Sequence, residues 1–465
     1  MIPAPMENPF RRSHGTDRSE YRPSDHVLVL GAGRENPHAT LHEFVHILEH
    51  CSTPYGFLLD ELNFRQNLLI QEFLKAVDGP ITVPIYNWAV TERKRVSSSA
   101  TATEIFENLF KRFLQPWSIC LHIVNAFEGK DNKYIRTSTI GEDATFLAVC
   151  EAVPGTATDL DAVDDVLVVE LMEELSCPSI SWVGDARTTS FPYGAHHISE
   201  GLAQLHEGLE RCFDSQREHE YLALPFKVID FVGKNRFAHM QKHAFVTYQV
   251  IADLARFTPA GMYYGRLRPQ NSTWKDIHPG YRFELALETV AQSDAWVDDL
   301  NDAESLAQFV CEERGWTQPR EFLELGASNE HLTVRRHRDA CRIRLDDFMA
   351  FGQIKHATEK GSAVAAFFSD HMPMTLHPDY GTVCCFPETE HEPIIAAEHV
   401  RNLFISDTCW CAMMNGIPSL PILPAGLLLE EYTGKKTEVE FAEHLESEHP
   451  WLRRDRFVTL EGDSC

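Results

Sequence analysis

Residues 27–54 read VLVLGAGRENPHATLHEFVHILEHCSTP, and the fold of the region around them follows from this stretch. Val27-Leu28-Val29-Leu30 is a short apolar run of the buried-strand type. Gly31-Ala32-Gly33 turns the chain, and Asn36-Pro37 supplies an N-cap and a proline at the first helical position. A helix is predicted from Pro37 to about Cys51. Ser52-Thr53-Pro54 ends it, because a proline disfavours helical backbone at the residue before it. Leu41, Phe44, Val45 and Leu48 fall on one side of this helix and bury it.

The other side carries His42-Glu43-Phe44-Val45-His46, an HExxH sequence. Residues four apart on a helix lie one turn apart on one face, so both imidazoles reach a single ion. Glu43 sits beside them, where it can take a proton from a water on that ion. Zinc is the metal this chemistry favours, one per chain, with His42 and His46 as ligands and Glu43 as the catalytic base. His50 extends the string to HExxHxxxH. It lies about 12 Å along the axis from His42, too far for a third bond to the same ion, so it is expected to support the site or the fold.

The third ligand must come from another helix. Glu72 lies on the next one, and Glu200 lies in Gly194-Ala195-His196-His197-Ile198-Ser199-Glu200-Gly201-Leu202-Ala203, whose small residues allow close packing. The residues alone leave both open, with Glu200 preferred.

The block Leu41–Gly56, LHEFVHILEHCSTPYG, resembles an uncharacterised bacterial set of HExxH proteins, whose motif runs approximately HEYxHxxQ before a Thr-rich turn and a Gly. That set carries a further helix similar to Gly194, Ala195, Glu200 and Ala203. The resemblance implies a zinc metallopeptidase of gluzincin type, with zinc on His42, His46 and Glu200 and with Glu43 as base. It covers two short blocks. The chain departs from the pattern at Phe44, where Tyr is expected, and at Glu49, where Gln is expected and a negative charge is added near the site.

Outward from the motif, a second helix is predicted over about 57–77, closed by Gly79-Pro80. Residues 81–85, 118–124 and 146–153 are strand-like, and Thr101 with Glu104 reads as a capping box for a helix over 105–114. Residues 156–165 form an acidic loop. Further helices are predicted over 194–213, about 238–257, 282–300, 303–314 and 396–414. The fold class is therefore α+β and helix-dominated, with a zincin-like catalytic core and a largely helical second half. An irregular arm spans 1–24, the metal-binding region 25–215, and the helical region of unknown role 216–465.

Composition narrows the function. Lys plus Arg number 42 and Asp plus Glu 69, a net charge of −27, which disfavours nucleic acid as a partner. No apolar run is long enough to span a bilayer, so no membrane partner is expected. Residues 1–22 have no apolar core of the kind a secretory leader needs. Twelve cysteines then fit a reducing, cytoplasmic setting. Cys384, Cys385, Cys409 and Cys411 lack the spacing of a metal site and read as buried thiols. Gly31-x-Gly33 lacks the third glycine of a dinucleotide fingerprint, position 36 being Asn36. The basic run Arg335–Arg344 reads as a solvated face.

The reading is a zinc-dependent hydrolase acting on a peptide or protein, under the restraint of a closed resting state or a regulatory protein partner. Tyr55, Tyr193, His197, Tyr263, Tyr264, His377 and Tyr380 are the candidates for stabilising an oxyanion, and the sequence does not choose among them. Two alternatives stand beside it. One is a non-catalytic zincin-like binding scaffold. The other is a di-iron carboxylate oxidase that pairs Glu43-x-x-His46 with Glu446-x-x-His449.

Overall fold

The computed structural model describes residues 20–22, 27–30, 37–82, 85–129, 177–183, 188–207, 221–233, 241–258, 274–293, 302–328, 335–350, 363–371, 374–377, 381–385, 393–395, 422–424 and 457–458. In chain order the elements begin with β1 (Glu20–Arg22), β2 (Val27–Leu30), α1 (Pro37–Ser52), α2 (Pro54–Ala76), β3 (Ile81–Thr82), α3 (Ile85–Val96), α4 (Ala100–Leu109) and α5 (Gln115–Glu128). Next come β4 (Ser179–Val183), β5 (Thr188–Pro192), α6 (Ala195–Glu207), α7 (Ala223–Gly233), α8 (Gln241–Arg256), α9 (Trp274–Ile277) and α10 (Pro279–Ser293). The remainder are α11 (Ala303–Arg314), α12 (Pro319–Ser328), α13 (Arg335–Asp346), α14 (Ala363–His371), β6 (Met374–His377), β7 (Gly381–Cys385), β8 (Pro393–Ile395), β9 (Ile422–Pro424) and β10 (Phe457–Val458). Helices dominate, and the class is α+β.

The largest sheet has the order β1-β2-β7-β6, antiparallel throughout. Tyr21 pairs with Leu28, which pairs in turn with Cys384. Strands distant in sequence therefore share one sheet, with β1 at its edge. β3 pairs with β10 in parallel, Ile81 opposite Phe457.

Helix α1 is the hub that positions the site. It packs against α6, α2 and α13. Phe44, Val45, Ile47, Leu48 and Cys51 are buried, and Phe44 stacks on Phe368 of α14 with ring centroids 3.8 Å apart. Each such apolar side chain contributes roughly 1.5–3 kcal/mol relative to exposure. At its C-terminal end, the hydroxyls of Ser52 and Thr53 donate to the carbonyls of Leu48 and Glu49. Thr53 then caps α2, accepting from the Gly56 N–H, with Pro54 at the first helical position. A Cβ on Gly56 would run into the backbone carbonyl of His50, so only glycine permits this tight passage from α1 to α2.

Several expectations need correction. Residues 20–22, inside the stretch read as an irregular arm, form an edge strand. Residues 118–124 are helical, not a strand: Trp117, Cys120, Ile123 and Phe127 are buried at helical spacing within α5. A short apolar run does not by itself separate a strand from a buried helix. Ser99, not Thr101, caps α4, accepting from the Ala102 N–H. The strand at 81 stops at Thr82, and Ile85 opens α3. The basic run is not a uniformly solvated face, because Arg336 and Arg344 point into the core. Arg344 pairs with Asp253 of α8 and donates to the carbonyl of Phe348. The strand predicted over 146–153, the loop over 156–165, the helix over 396–414, Asn36, Cys409, Cys411, Glu446 and His449 lie outside the described residues.

Candidate metal centre

Helix α1 presents His42 and His46 on one face, one turn apart, with their rings edge to face and centroids 4.7 Å apart. The second contributor is α6. Its apolar residues Ile198 and Leu202 are buried, which turns Glu200 toward α1. Gly201 lets α6 lie close to α8, since a Cβ there would meet the Tyr248 hydroxyl. That hydroxyl donates to the Ile198 carbonyl at 3.0 Å and ties the two helices.

The donor atoms converge. His42 Nε2 is 3.0 Å from His46 Nε2, Glu200 Oε2 is 3.3 Å from His42 Nε2, and Glu200 Oε1 is 3.4 Å from His46 Nε2. All three lie within 4.8 Å of one another, the one such group among the described residues. Bonds of about 2.0–2.1 Å in a tetrahedron hold zinc donors roughly 3.3 Å apart, so the three groups fit the ion without rearrangement. Their side chains are 13%, 15% and 19% exposed, which leaves the centre reachable from solvent.

Glu43, between the two histidines in sequence, is buried. Its Oε2 accepts the Tyr21 backbone N–H at 2.7 Å. Burial pushes its carboxyl above the usual carboxylate range, against the pull of His42 and His46 and with a further push from Glu200. Burial works on Glu200 in the same sense, but His46 and His42 outweigh it through charge and hydrogen bonds. Glu200 is held well below the usual range. Two carboxylates around one centre are thus driven apart, Glu200 toward the ionised form and Glu43 toward the protonated one.

His50 belongs to a separate cluster. Its Nε2 donates to Asp60 Oδ1 at 2.6 Å, so its Nδ1 is the acceptor and takes the Tyr21 phenol O–H at 2.9 Å. Asp60 Oδ2 faces His337 Nε2 at 2.8 Å and the Arg336 guanidinium at 3.4 Å, both from α13. His337 donates its Nδ1 proton to the Cys51 carbonyl at 3.0 Å. Burial pulls the His337 pKa down, and Asp60 opposes it. Glu49, which departs from the resembled pattern, is fully buried against Arg256 of α8.

The other candidates lie elsewhere. Glu72 is paired with Lys75 on the surface of α2. The hydroxyls of Tyr55 and Tyr193 donate to Glu128 and Glu284, and the His197 ring stacks on Phe191 with centroids 5.1 Å apart. His377 falls on β6, and Tyr263, Tyr264 and Tyr380 are outside the described residues. Sequence reasoning overlooked two neighbours. One is His196, whose Nδ1 is 4.0 Å from Glu200 Oε1 and whose spacing of four from Glu200 was the available signal. The other is Tyr21, whose contact is made by its backbone and leaves no sequence signal. No family model, curated protein or solved structure matches this chain.

Proposed function

We propose that the chain is a zinc-dependent hydrolase of gluzincin type, most simply a peptidase, with zinc held by His42, His46 and Glu200. The observation that carries this reading is a buried carboxylate, Glu43, set on the same helix as two imidazoles that converge with the Glu200 carboxylate. A metal centre that only stores or passes electrons has no use for such a group; hydrolysis needs it as a base. Zinc in this frame would polarise a carbonyl and acidify a water. Glu43 takes the proton of the attacking water and returns it to the departing amide nitrogen as the C–O bond forms and the C–N bond breaks. Glu200 stays ionised and carries the negative charge that a dication needs. The substrate class is a peptide or protein. Twelve cysteines without disulfide-type spacing favour a cytoplasmic setting, where such an activity calls for a restraining partner or a closed resting state. No helix among the described residues is long and apolar enough to cross a membrane.

Elemental analysis of the wild type beside His46→Ala, Glu200→Ala and Glu43→Gln, together with hydrolysis of a peptide library, tests the proposal. About one zinc per chain is expected, lost in the first two variants and kept in Glu43→Gln, which should be inactive. Full turnover by Glu43→Gln would overturn the mechanism. Iron bound at the same residues would replace zinc hydrolysis with mono-iron chemistry, because two histidines and a carboxylate also hold that metal.

A further inference from the structure

Tyr21 touches the centre without offering it a side chain. It lies in the edge strand β1, and its peptide N–H, turned away from the sheet, donates to Glu43 Oε2 at 2.7 Å. A strand of three residues at a sheet edge is weakly anchored by its own ladder. The phenol of the same residue supplies the missing anchor, since its O–H donates to His50 Nδ1 at 2.9 Å. His50 cannot turn away, because its Nε2–H is held by Asp60, and Asp60 is paired with Arg336 and lies against His337 of α13. All of these side chains except the partly buried Asp60 are buried. We propose that Tyr21 and His50 are positioning residues for Glu43. The phenol clamp fixes the strand, and the strand's peptide N–H fixes one oxygen of the base, leaving the other to face the reacting water. Helix α13, from the second half of the chain, is thereby the foundation of the base. This role rests on the hydrolase reading, whereas the clamp itself does not.

The clamp is read by nuclear magnetic resonance on protein labelled with 15N-tyrosine, in which each of the twelve tyrosines gives one amide signal. The signal lost in Tyr21→Phe belongs to Tyr21. It should move upfield in Glu43→Gln, which replaces the carboxylate, and in His50→Gln, which keeps a donor for Asp60 but removes the Nδ1 acceptor. It should return toward its wild-type position in His50→Asn, whose carbonyl oxygen stands near the place of Nδ1. A signal unmoved by either glutamine variant would overturn the clamp. In zinc-loaded enzyme, kcat on the best-cleaved library peptide should fall about tenfold or more in Tyr21→Phe and His50→Gln, with KM and zinc content unchanged. Unaltered kcat, or an equal loss of zinc, would overturn the positioning role. If zinc-loaded wild type cleaves no peptide, the hydrolase reading falls, and the amide signal still decides the clamp.

Discussion

Two stretches of α1, His42–His46 and Glu49–His50, carry similar polar side chains put to different ends. In the first stretch, His42 and His46 turn their Nε2 atoms toward each other and toward Glu200, in side chains still 13–19% exposed. In the second stretch, Glu49 is fully buried against Arg256, and both nitrogens of His50 are engaged by Tyr21 and Asp60. The donor atoms of the first stretch converge on a place that could hold a metal ion; those of the second are turned to other side chains of the protein. His278 is a further case of the second kind. Its Nε2–H donates to the Ala126 carbonyl at 2.7 Å, and its Nδ1 accepts the Gly280 N–H at 3.0 Å. What separates a candidate ligand histidine from a structural one here is therefore what its two nitrogens face, rather than its burial alone.

The sharpest way to break this contrast is Arg256→Leu. It strands Glu49 as an uncompensated buried charge and should cost about 3–5 kcal/mol in urea unfolding of metal-free protein. A cost below about 1 kcal/mol would show that the Glu49–His50 stretch is not sustained from within.

Acid should come next. His278 is held neutral, its pKa pulled down to about 4 by burial, against 6.5 in an unfolded chain. Between those values the unfolded state binds more protons, so this contribution to stability is whole above pH 6.5 and is lost as pH falls toward 4. The loss amounts to about 3 kcal/mol. The difference between wild type and His278→Asn, unfolded by denaturant across this range, should show that slope in the wild type alone.

Added zinc should raise wild-type stability by about 2.7 kcal/mol at a hundredfold excess over Kd, and should do nothing for His46→Ala. The metal-free stability of that variant should stay within about 1 kcal/mol of wild type, because the partly exposed His46 ring makes no core packing contact of the kind Phe44 makes. The smallest effect is reserved for Glu72→Ala, which removes an exposed pair with Lys75. It should change stability by less than about 0.5 kcal/mol and leave zinc content untouched.

Much of this was legible where the physics is local. The strand at 27–30, the α1 helix and the HExxH face follow from spacing within a few residues, and Asp302-Ala303 onward to Arg314 reads as the helix it is. The position of Glu200 on a helix was equally plain. That it rather than Glu72 meets the histidines was not, because the meeting is decided by how α6 docks on α1. Arg336 and Arg344 misled for the same reason: eight residues apart, they share a face with Ala340 and Cys341, and that face turns inward to Asp60 and Asp253. Tyr21 was invisible, since a peptide N–H is the same in every residue but proline.

The order of the large sheet also sets a timetable. β2 stands between β1 and β7, and Leu28 waits for Cys384 as its partner. On a ribosome adding about 5–20 residues per second, both histidines and Glu200 emerge tens of seconds before β7 does. Through that interval one edge of a Val-Leu-Val-Leu strand stays open to any passing chain. Closing the sheet across so long a loop is a slow, late event. The strand that bears Tyr21 settles only then, so a metal captured early would sit in a centre whose base is not yet held. On the proposed hydrolase reading, activity begins only once β7 has paired with β2.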